Sequence, residues 1–343
     1  MNSIVTLVRP NIRNLSPYST ARDECQGTPD IFLDANESPY PGIGFNCYPD
    51  PRQKALKQRV SAIKGLPVEN IFLGNGSDEA IDLMFRIFCT PGKDNAVAIV
   101  PSYGMYAVAA DINDVEVRGV KLGTGFSLPA EELLAAADAN TKLLFLCSPN
   151  NPSGNAFAPD RLLDLVQRFP GIVVLDEAYA DFSAKGSLRA KVLEYPNLVV
   201  LQTFSKAYGM AGLRMGMAFA NAYIIDLMNR VKYPYNISQA AQEAAFRALS
   251  APVEENVAEI VAQRTRLADA LPAFSFVKKV WPSDANFLLV QVDDPDRLYK
   301  HLLEDGIIVR NRSRQPLCQG CLRMTVGTPR ENDNLLQSLQ RYE

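Results

Sequence analysis

A series of short apolar runs, each followed by glycine or polar residues, most restricts the fold of this 343-residue sequence. The runs recur between about residues 70 and 220, and segments with helical periodicity, such as residues 128–139 and 159–169, lie between them. Continuous apolar runs are typical of strands buried on both faces, as in a parallel sheet covered by helices. We therefore predict an α/β fold with a mostly parallel, doubly wound sheet. The predicted strands are residues 71–73, 97–100, 143–146, 172–175, 198–201 and 215–219.

The pattern changes after about residue 220, where long helical segments precede a set of mixed strands. Helical periodicity covers residues 222–230 and 238–271, and a closing helix is predicted from Arg330 onward. Strand-like segments occur at residues 274–281, 287–292, 306–310 and 322–326. We predict a large domain over residues 41–265 and a smaller α+β domain over residues 266–343. Residues 1–40 are expected to be extended and to pack on the small domain or on a partner.

Composition and charge exclude several classes of protein. A net charge of −3 without a basic block argues against nucleic acid and anionic membranes as partners. No apolar run approaches the ~18 residues of a membrane-spanning helix, and the first residues lack the pattern of an export signal. We therefore expect a cytoplasmic protein. A single histidine, His301, gives little support for a Ser-His-Asp triad or a histidine-rich metal site.

The cysteines are scattered along the chain, and only Cys318 and Cys321 are closely spaced. One such pair without a second pair is weak evidence for zinc. We predict free thiols in a reducing compartment and no metal site. The six positions are Cys25, Cys47, Cys89, Cys147, Cys318 and Cys321.

Polar segments follow five consecutive predicted strands. In an open α/β sheet the functional crevice lies outside the carboxyl ends of the strands, so these segments are expected to meet. They supply a glycine-rich turn, an aromatic ring, an asparagine turn, a carboxylate with a tyrosine, and a lysine. In chain order the segments read GNGSDE, PSYGMY, CSPNNPSG, DEAY and QTFSK.

Single motifs among these segments each have two interpretations. The turn at residues 74–78 opens a predicted helix, where it could bind an anion or simply cap the helix. Asn151 could donate a hydrogen bond to an oxygen of a cofactor ring or simply lie in a turn of a common type. Asp176 could pair with a structural cation or accept a hydrogen bond from a protonated ring nitrogen of a cofactor.

Lys206 lies in the segment TFSKAYGMAGLRMG, directly after a predicted strand. A solvated lysine has a pKa near ~10.4 and is a poor nucleophile at neutral pH. Desolvation or a nearby cation lowers that pKa and makes imine formation feasible. Arg214, eight positions further on, could provide this cation while binding a phosphate.

Taken together, the segments resemble the class I and II aminotransferases, which are fold-type I pyridoxal-phosphate enzymes. The stretch from Ser205 to Gly216 is similar to the lysine signature of that family nearly residue for residue, and the resemblance covers most of the chain. Further segments occur in the expected order: LDANESP from residue 33, NCYP from residue 46, GSDE from residue 76, PSYGMY from residue 101, SPNNPSG from residue 148, DEAY from residue 176 and LRMTVG from residue 322.

The resemblance implies a role for each matching residue around pyridoxal 5'-phosphate. Lys206 would hold the cofactor as an internal aldimine and then carry the proton. Asp176 would keep the pyridine nitrogen protonated, and Tyr179 and Asn151 would bind the ring hydroxyl oxygen. Tyr103 would stack on the ring. The cofactor phosphate would be surrounded by Gly76, Ser77, Asp78, Ser205 and Arg214.

The resemblance also implies a substrate side and a dimer. Arg323 would bind the glutamate carboxylate or the phosphate of a phosphorylated amino alcohol, with Arg310 as a second cation and Tyr18 and Asn36 lining the pocket. Tyr48 would reach the cofactor of the neighbouring subunit, which makes a homodimer part of the hypothesis.

Two further arginines follow Arg310 closely. Arg312 and Arg314 are predicted to be solvated surface charges, because exposed arginines are the norm.

The reaction implied by the resemblance is a two-stage transamination. Glutamate would supply the amino group and imidazole acetol phosphate would receive it, giving L-histidinol phosphate and 2-oxoglutarate in histidine biosynthesis. Within the same family, an aromatic-amino-acid aminotransferase or a threonine-phosphate decarboxylase shares the cofactor residues. A nicotinamide-dependent dehydrogenase is a more distant alternative, but GNGSDE lacks the third glycine of its fingerprint. A non-catalytic effector domain is the last alternative.

Overall fold

Seven strands between residues 71 and 220 form the larger of two sheets in the computed structural model, which describes residues 4–21 and 30–342. They are β1 (Ile71–Asn75), β2 (Asn95–Val100), β3 (Glu116–Lys121), β4 (Thr141–Cys147), β5 (Ile172–Asp176), β6 (Leu198–Thr203) and β7 (Met215–Ala220). Their order across the sheet is β1-β7-β6-β5-β4-β2-β3. The pairs among β2 to β6 are parallel, whereas β7 is antiparallel to both of its neighbours.

The predicted α/β fold class and its mostly parallel sheet are confirmed. All six predicted runs are strands, and β5, β6 and β7 are buried along their whole length. The edge strand β3 is absent from the prediction. Its sequence EVRGVK alternates in polarity and is partly exposed, as is usual for an edge strand, so it contains no continuous apolar run.

Helices cover the sheet, and the one after β1 positions the candidate site. It begins at Gly76, and its buried Ile81, Met84, Phe85 and Phe88 recur at helical spacing on the face that packs on the sheet. The helices in the first three quarters of the described chain are α1 (Ile4–Leu7), α2 (Pro10–Arg13), α3 (Lys54–Lys64), α4 (Gly76–Phe88), α5 (Met105–Ile112), α6 (Ala130–Ala135), α7 (Pro159–Arg168), α8 (Ala222–Val231), α9 (Gln239–Ala248) and α10 (Glu254–Ala270).

The single helix predicted over residues 238–271 is wrong, because the structure divides it into α9 and α10. Pro252 lies in the interruption, and proline lacks the backbone N–H that a continuous helix would need there. The side chain of Ser238 caps α9 by accepting a hydrogen bond from the N–H of Ala241.

The second sheet has four antiparallel strands, β8 (Val277–Val280), β9 (Phe287–Val292), β10 (Arg310–Asn311) and β11 (Cys321–Thr325). Their order is β10-β11-β9-β8. One face packs on α10, α11 (Pro295–Glu304) and α12 (Pro329–Tyr342) around Leu288, Val290, Leu322 and Met324, while Leu289 points into the core of the larger sheet. The predicted strand over residues 306–310 is reduced to Arg310 and Asn311, and α11 is absent from the prediction.

The start of the chain differs from the extended segment expected there. Residues 4–7 and 10–13 are helical, and Leu7, Val8 and Ile12 are buried in the core of the larger sheet rather than on the smaller one. The N–H of Arg9 donates to the carbonyl oxygen of Ile87 at 3.0 Å. The domain boundaries at residues 40 and 265 stay predictions. Within the described ranges, no helix is both long and apolar enough to cross a membrane.

Candidate active site

One cavity lies where the carboxyl ends of β1, β4, β5 and β6 meet. Its wall contains residues from all five segments that the sequence placed after strands, together with Cys147, Ala178, Thr203 and Ala211. The predicted residues that line it are Gly76, Ser77, Asp78, Tyr103, Asn151, Asp176, Tyr179, Ser205, Lys206 and Arg214. Ten of the eleven predicted cofactor residues are therefore brought together.

An anion-binding corner forms where α4 and β7 begin side by side. The N–H of Gly76 donates to the carbonyl oxygen of Arg214 at 2.8 Å, and Gly76 has φ +72°. A Cβ on Gly216 would lie 2.2 Å from the backbone nitrogen of Ser77, so only glycine permits this approach. The first N–H groups of a helix lack partners within it and attract anions. The Arg214 guanidinium adds a full positive charge at the same place.

The carboxylate of Asp78 orients this corner. Asp78 forms an ion pair with Arg214 at 3.4 Å and accepts a hydrogen bond from the Tyr103 hydroxyl at 3.0 Å. A carboxylate repels a phosphate, so the group that Asp78 can offer to an anion is its backbone N–H.

A buried carboxylate, Asp176, forms the opposite end of the cavity. Its Oδ2 accepts a hydrogen bond from the Tyr106 hydroxyl at 2.8 Å, and its Oδ1 accepts one from the N–H of Ala178 at 3.0 Å. Burial raises the pKa of Asp176 to about 6, and these two hydrogen bonds oppose the shift. The group is therefore ionised at neutral pH in a place that favours a neighbouring cation.

Tyr106, which is absent from the residues predicted from the sequence, supports the buried carboxylate. Its ring is buried and its hydroxyl fixes the orientation of Asp176. The sequence feature that could have identified Tyr106 is its position three residues after Tyr103, at the start of α5 and in the same segment after β2.

The buried side chain of Asn150 forms hydrogen bonds with both the loop after β2 and the loop after β4. Asn150 accepts a hydrogen bond from the Ser102 hydroxyl at 2.9 Å and donates to the Ser153 hydroxyl and the Pro101 carbonyl at 2.7 and 3.0 Å. The loops after β2 and β4 therefore form one rigid unit, which holds Tyr103 and Asn151 in place.

Asn151 connects the large sheet to the small one. Its side-chain oxygen accepts a hydrogen bond from Nη1 of Arg323 at 2.5 Å. Arginine only donates, so the amide oxygen faces Arg323 and the amide nitrogen is left to donate to another acceptor. Tyr179 is buried beside this pair, and its ring lies edge-on against Phe287 of β9 at 5.2 Å. Burial raises the pKa of Tyr179, which keeps its hydroxyl protonated.

Lys206 extends into the open part of the cavity, and its Nζ lies 5.7 Å from the centre of the Tyr179 ring. Among the residues that the structure describes, none forms a hydrogen bond or an ion pair with this Nζ. Although the side chain is exposed along the cleft, partial desolvation by the cavity walls and repulsion from Arg323 lower its pKa. Both effects increase the fraction of the neutral, nucleophilic amine.

Three arginines share one face of the second sheet. Arg310 and Arg323 are directly opposed in the β10–β11 pairing, and the N–H of Arg312 continues the ladder by donating to Cys321 at 2.9 Å. Side chains alternate along a strand, so Arg312 projects from the same face. The prediction that Arg312 is a solvated surface charge is wrong: it is half-buried, with its Nε inaccessible to water. Arg314 is exposed as predicted.

The remaining predicted residues lie away from the cavity. Tyr48 stacks on Tyr235 at 4.4 Å and lines a separate groove. Tyr18 and Asn36 are exposed and are not part of the cavity wall. Cys89, Cys147, Cys318 and Cys321 are free thiols, Cys25 lies outside the described residues, and no cluster of three potential metal ligands occurs within the described ranges.

Comparison with known proteins decides the family. A family model described as aminotransferase class I and II matches residues 26–339. The chain belongs to the class I and II aminotransferase family. This confirms the family indicated by the sequence motifs and rules out the dehydrogenase alternative.

Members of this family are similar to the chain over its full length. A histidinol-phosphate aminotransferase of Parabacteroides distasonis is 52% identical over 345 residues, covering 100% of both chains. One of Bacteroides fragilis is 50% identical over 346 residues, again covering 100% of both. A solved histidinol-phosphate aminotransferase from Sinorhizobium meliloti, in complex with pyridoxal-5'-phosphate, has a TM-score of 0.80 at 23% identity and covers 88% of this chain and 85% of its own. That structure supports the fold.

The close approach at Gly216 gives a testable prediction. Gly216→Ala should lower the free energy of unfolding by about 1–3 kcal/mol, because the new Cβ forces the start of α4 away from β7. It should also weaken the binding of inorganic phosphate to the protein without cofactor. Thermal unfolding with and without phosphate measures both effects. Gly212→Ala is the matched control, since a Cβ there meets nothing within 4 Å. Equal behaviour of the two variants would contradict the proposed corner.

Proposed function

We propose that the chain is a pyridoxal-phosphate-dependent aminotransferase that transfers an amino group between L-histidinol phosphate and 2-oxoglutarate in histidine biosynthesis. The observation that carries the proposal is one cavity that holds a buried carboxylate, an anion-binding corner and a lysine whose Nζ has no hydrogen-bond or ion-pair partner among the described residues. The family match and the names of relatives at 50–52% identity support the same reaction. We also propose a cytoplasmic location, as suits a biosynthetic enzyme.

The residues of the cavity fit the cofactor. The corner formed by Gly76, Ser77 and Arg214 suits its phosphate, and Asp176 suits its pyridine nitrogen. The free amide nitrogen of Asn151 and the protonated hydroxyl of Tyr179 are two donors for the ring oxygen. When bound, the cofactor supplies an electron sink for negative charge on the substrate carbon.

Lys206 has two tasks in this proposal. As a neutral amine of lowered pKa, it would hold the cofactor covalently. During the reaction its Nζ would accept the proton released by the substrate carbon and return it at the other end of the reacting group. Arg323 assists the first task, because its positive charge disfavours protonation of Lys206 and keeps the free amine neutral.

Asp176 and Tyr106 act together on the far side of the ring. Asp176 would accept a hydrogen bond from the protonated ring nitrogen. Because the carboxylate is buried, this cation would stabilise its ionised form strongly. Tyr106 holds the carboxylate in one orientation, so no reorganisation is needed when the cofactor binds.

The arginine face of the second sheet would receive the anionic end of either substrate. Arg323 borders the cavity through Asn151, and Arg310 and Arg323 also line an adjacent cavity. Glutamate presents a carboxylate and histidinol phosphate presents a phosphate, and both suit guanidinium donors. Tyr18 and Asn36 remain proposed contributors to this pocket.

A homodimer completes the proposal. Tyr48 is half-exposed and does not line the cavity of its own chain, as expected for a residue that reaches the partner's cofactor. The nearby Ile31, Leu33, Tyr40 and Ile43 are each at least 77% exposed, which is unusual for large apolar side chains in one segment. A second copy of the chain would cover them.

A half-reaction titration tests the substrate assignment. The holoenzyme is mixed with histidinol phosphate, phenylalanine, glutamate or threonine phosphate, and the visible absorbance of the bound cofactor is followed. Histidinol phosphate and glutamate should each remove the absorbance and form the corresponding keto product. Lys206→Ala is the control and should form no product. Rapid reaction with phenylalanine but none with histidinol phosphate would indicate an aromatic aminotransferase, and carbon dioxide release from threonine phosphate would indicate a decarboxylase.

The pKa of Asp176 predicts how cofactor binding depends on pH. Below about pH 6 the carboxyl becomes protonated and no longer attracts the ring cation, so the affinity of the cofactor-free protein for pyridoxal phosphate should fall as the pH decreases through 6. Asp176→Asn should bind more weakly at pH 7 and lose this dependence. The dissociation constant measured between pH 5 and about 8 checks both points, and an unchanged pH dependence in the variant would assign the effect to another group.

A further inference from the structure

The arginine face contains more positive charge than one carboxylate requires. Arg310, Arg312 and Arg323 project from the same face of the β10–β11 hairpin. None of the described acidic side chains forms an ion pair with any of the three. Adjacent arginines normally share a carboxylate partner, because their guanidinium charges repel each other. The arrangement therefore favours an anion from outside the chain.

Arg312 is partly buried and lies close to the positive charges of the other two arginines. Burial, together with repulsion from Arg323 and Arg310, lowers the pKa of Arg312 to about 10, so it is still charged at neutral pH. Its Nε and that of Arg323 are inaccessible to water and have no hydrogen-bond acceptor in the described structure. A buried donor without an acceptor is unfavourable, and a charged one more so.

Arg312 also lies near the reacting end of the site. It lies two residues after Arg310 on the face that also holds Arg323, and Arg323 donates a hydrogen bond to Asn151 in the wall of the cofactor cavity. An anion held between Arg310 and Arg323 is thus within the field of Arg312.

We propose that Arg312 supplies the third positive charge that makes this site select a phosphomonoester over a carboxylate. The inference rests on the proposed function, because it names the residue that distinguishes the two substrates of that reaction. A carboxylate carries one negative charge, whereas a phosphomonoester carries about 1.5 to 2 at pH 7 and offers three acceptor oxygens. The repulsion among three arginines is relieved more completely by the more highly charged ligand.

The test compares Arg312→Gln with Arg314→Gln in the holoenzyme. Arg312→Gln should raise KM for histidinol phosphate roughly 10- to 100-fold, with a much smaller rise for glutamate and little change in kcat. Arg312→Lys should recover part of the loss, because it keeps the charge but not the planar fork. Arg314→Gln is the matched control: Arg314 is exposed two residues further on and should leave both KM values unchanged.

Two measurements do not depend on turnover of histidinol phosphate. Inorganic phosphate should compete with glutamate in the half-reaction of the wild-type holoenzyme, in which the cofactor occupies its own phosphate site, and Arg312→Gln should weaken this inhibition at least about tenfold. Thermal unfolding of Arg312→Gln should occur at the wild-type temperature or higher, since a crowded cation is removed.

Equal KM increases for both substrates, or unchanged phosphate inhibition, would overturn the role of Arg312. A lower unfolding temperature with both affinities intact would show that Arg312 is only structural. If the wild-type holoenzyme does not accept histidinol phosphate, the proposed function fails, while the phosphate inhibition still decides whether Arg312 is an anion-binding residue.

Discussion

The site depends on one unfavourable placement, the burial of Asp176 at the carboxyl end of the central strand β5. Burial alone would neutralise this carboxyl group, and the hydrogen bonds from Tyr106 and Ala178 counteract that tendency. The result is an ionised, buried carboxylate that a neighbouring cation would stabilise. A protonated pyridine nitrogen is such a cation, so the fold itself prepares the position of the ring.

The other functional groups of the cavity are arranged around that carboxylate. The glycines at 76 and 216 place the start of α4 against β7 and form an anion site at the other end of the cavity. Lys206 lies between the two ends, near Tyr179 and within the field of Arg323. Arg323 belongs to the second sheet but donates to Asn151 in the loop after β4, so the proposed substrate-binding and cofactor-binding residues are joined by one hydrogen bond.

The apolar runs were sufficient to predict six of the seven strands, and most of the cofactor residues lie in segments that follow such a run. Their roles were implied by the resemblance to the aminotransferase family. Contacts between distant segments could not be predicted in this way. Arg312 resembled a surface charge because only the pairing of β10 with β11 shows that it shares a face with Arg323. Tyr106 was overlooked because its partner Asp176 is 70 residues away. The exposed edge strand β3 lacks the apolar run on which the other strands were identified.

Covalent trapping of the cofactor tests the central claim most directly. Borohydride reduces the bond between the cofactor and its lysine to a stable amine, and peptide mass spectrometry then identifies the modified residue. The added mass should be on Lys206 alone. The buried Lys57, whose pKa is also lowered, to about 8, is the internal comparison. Modification of Lys57 or another lysine in place of Lys206 would contradict the account.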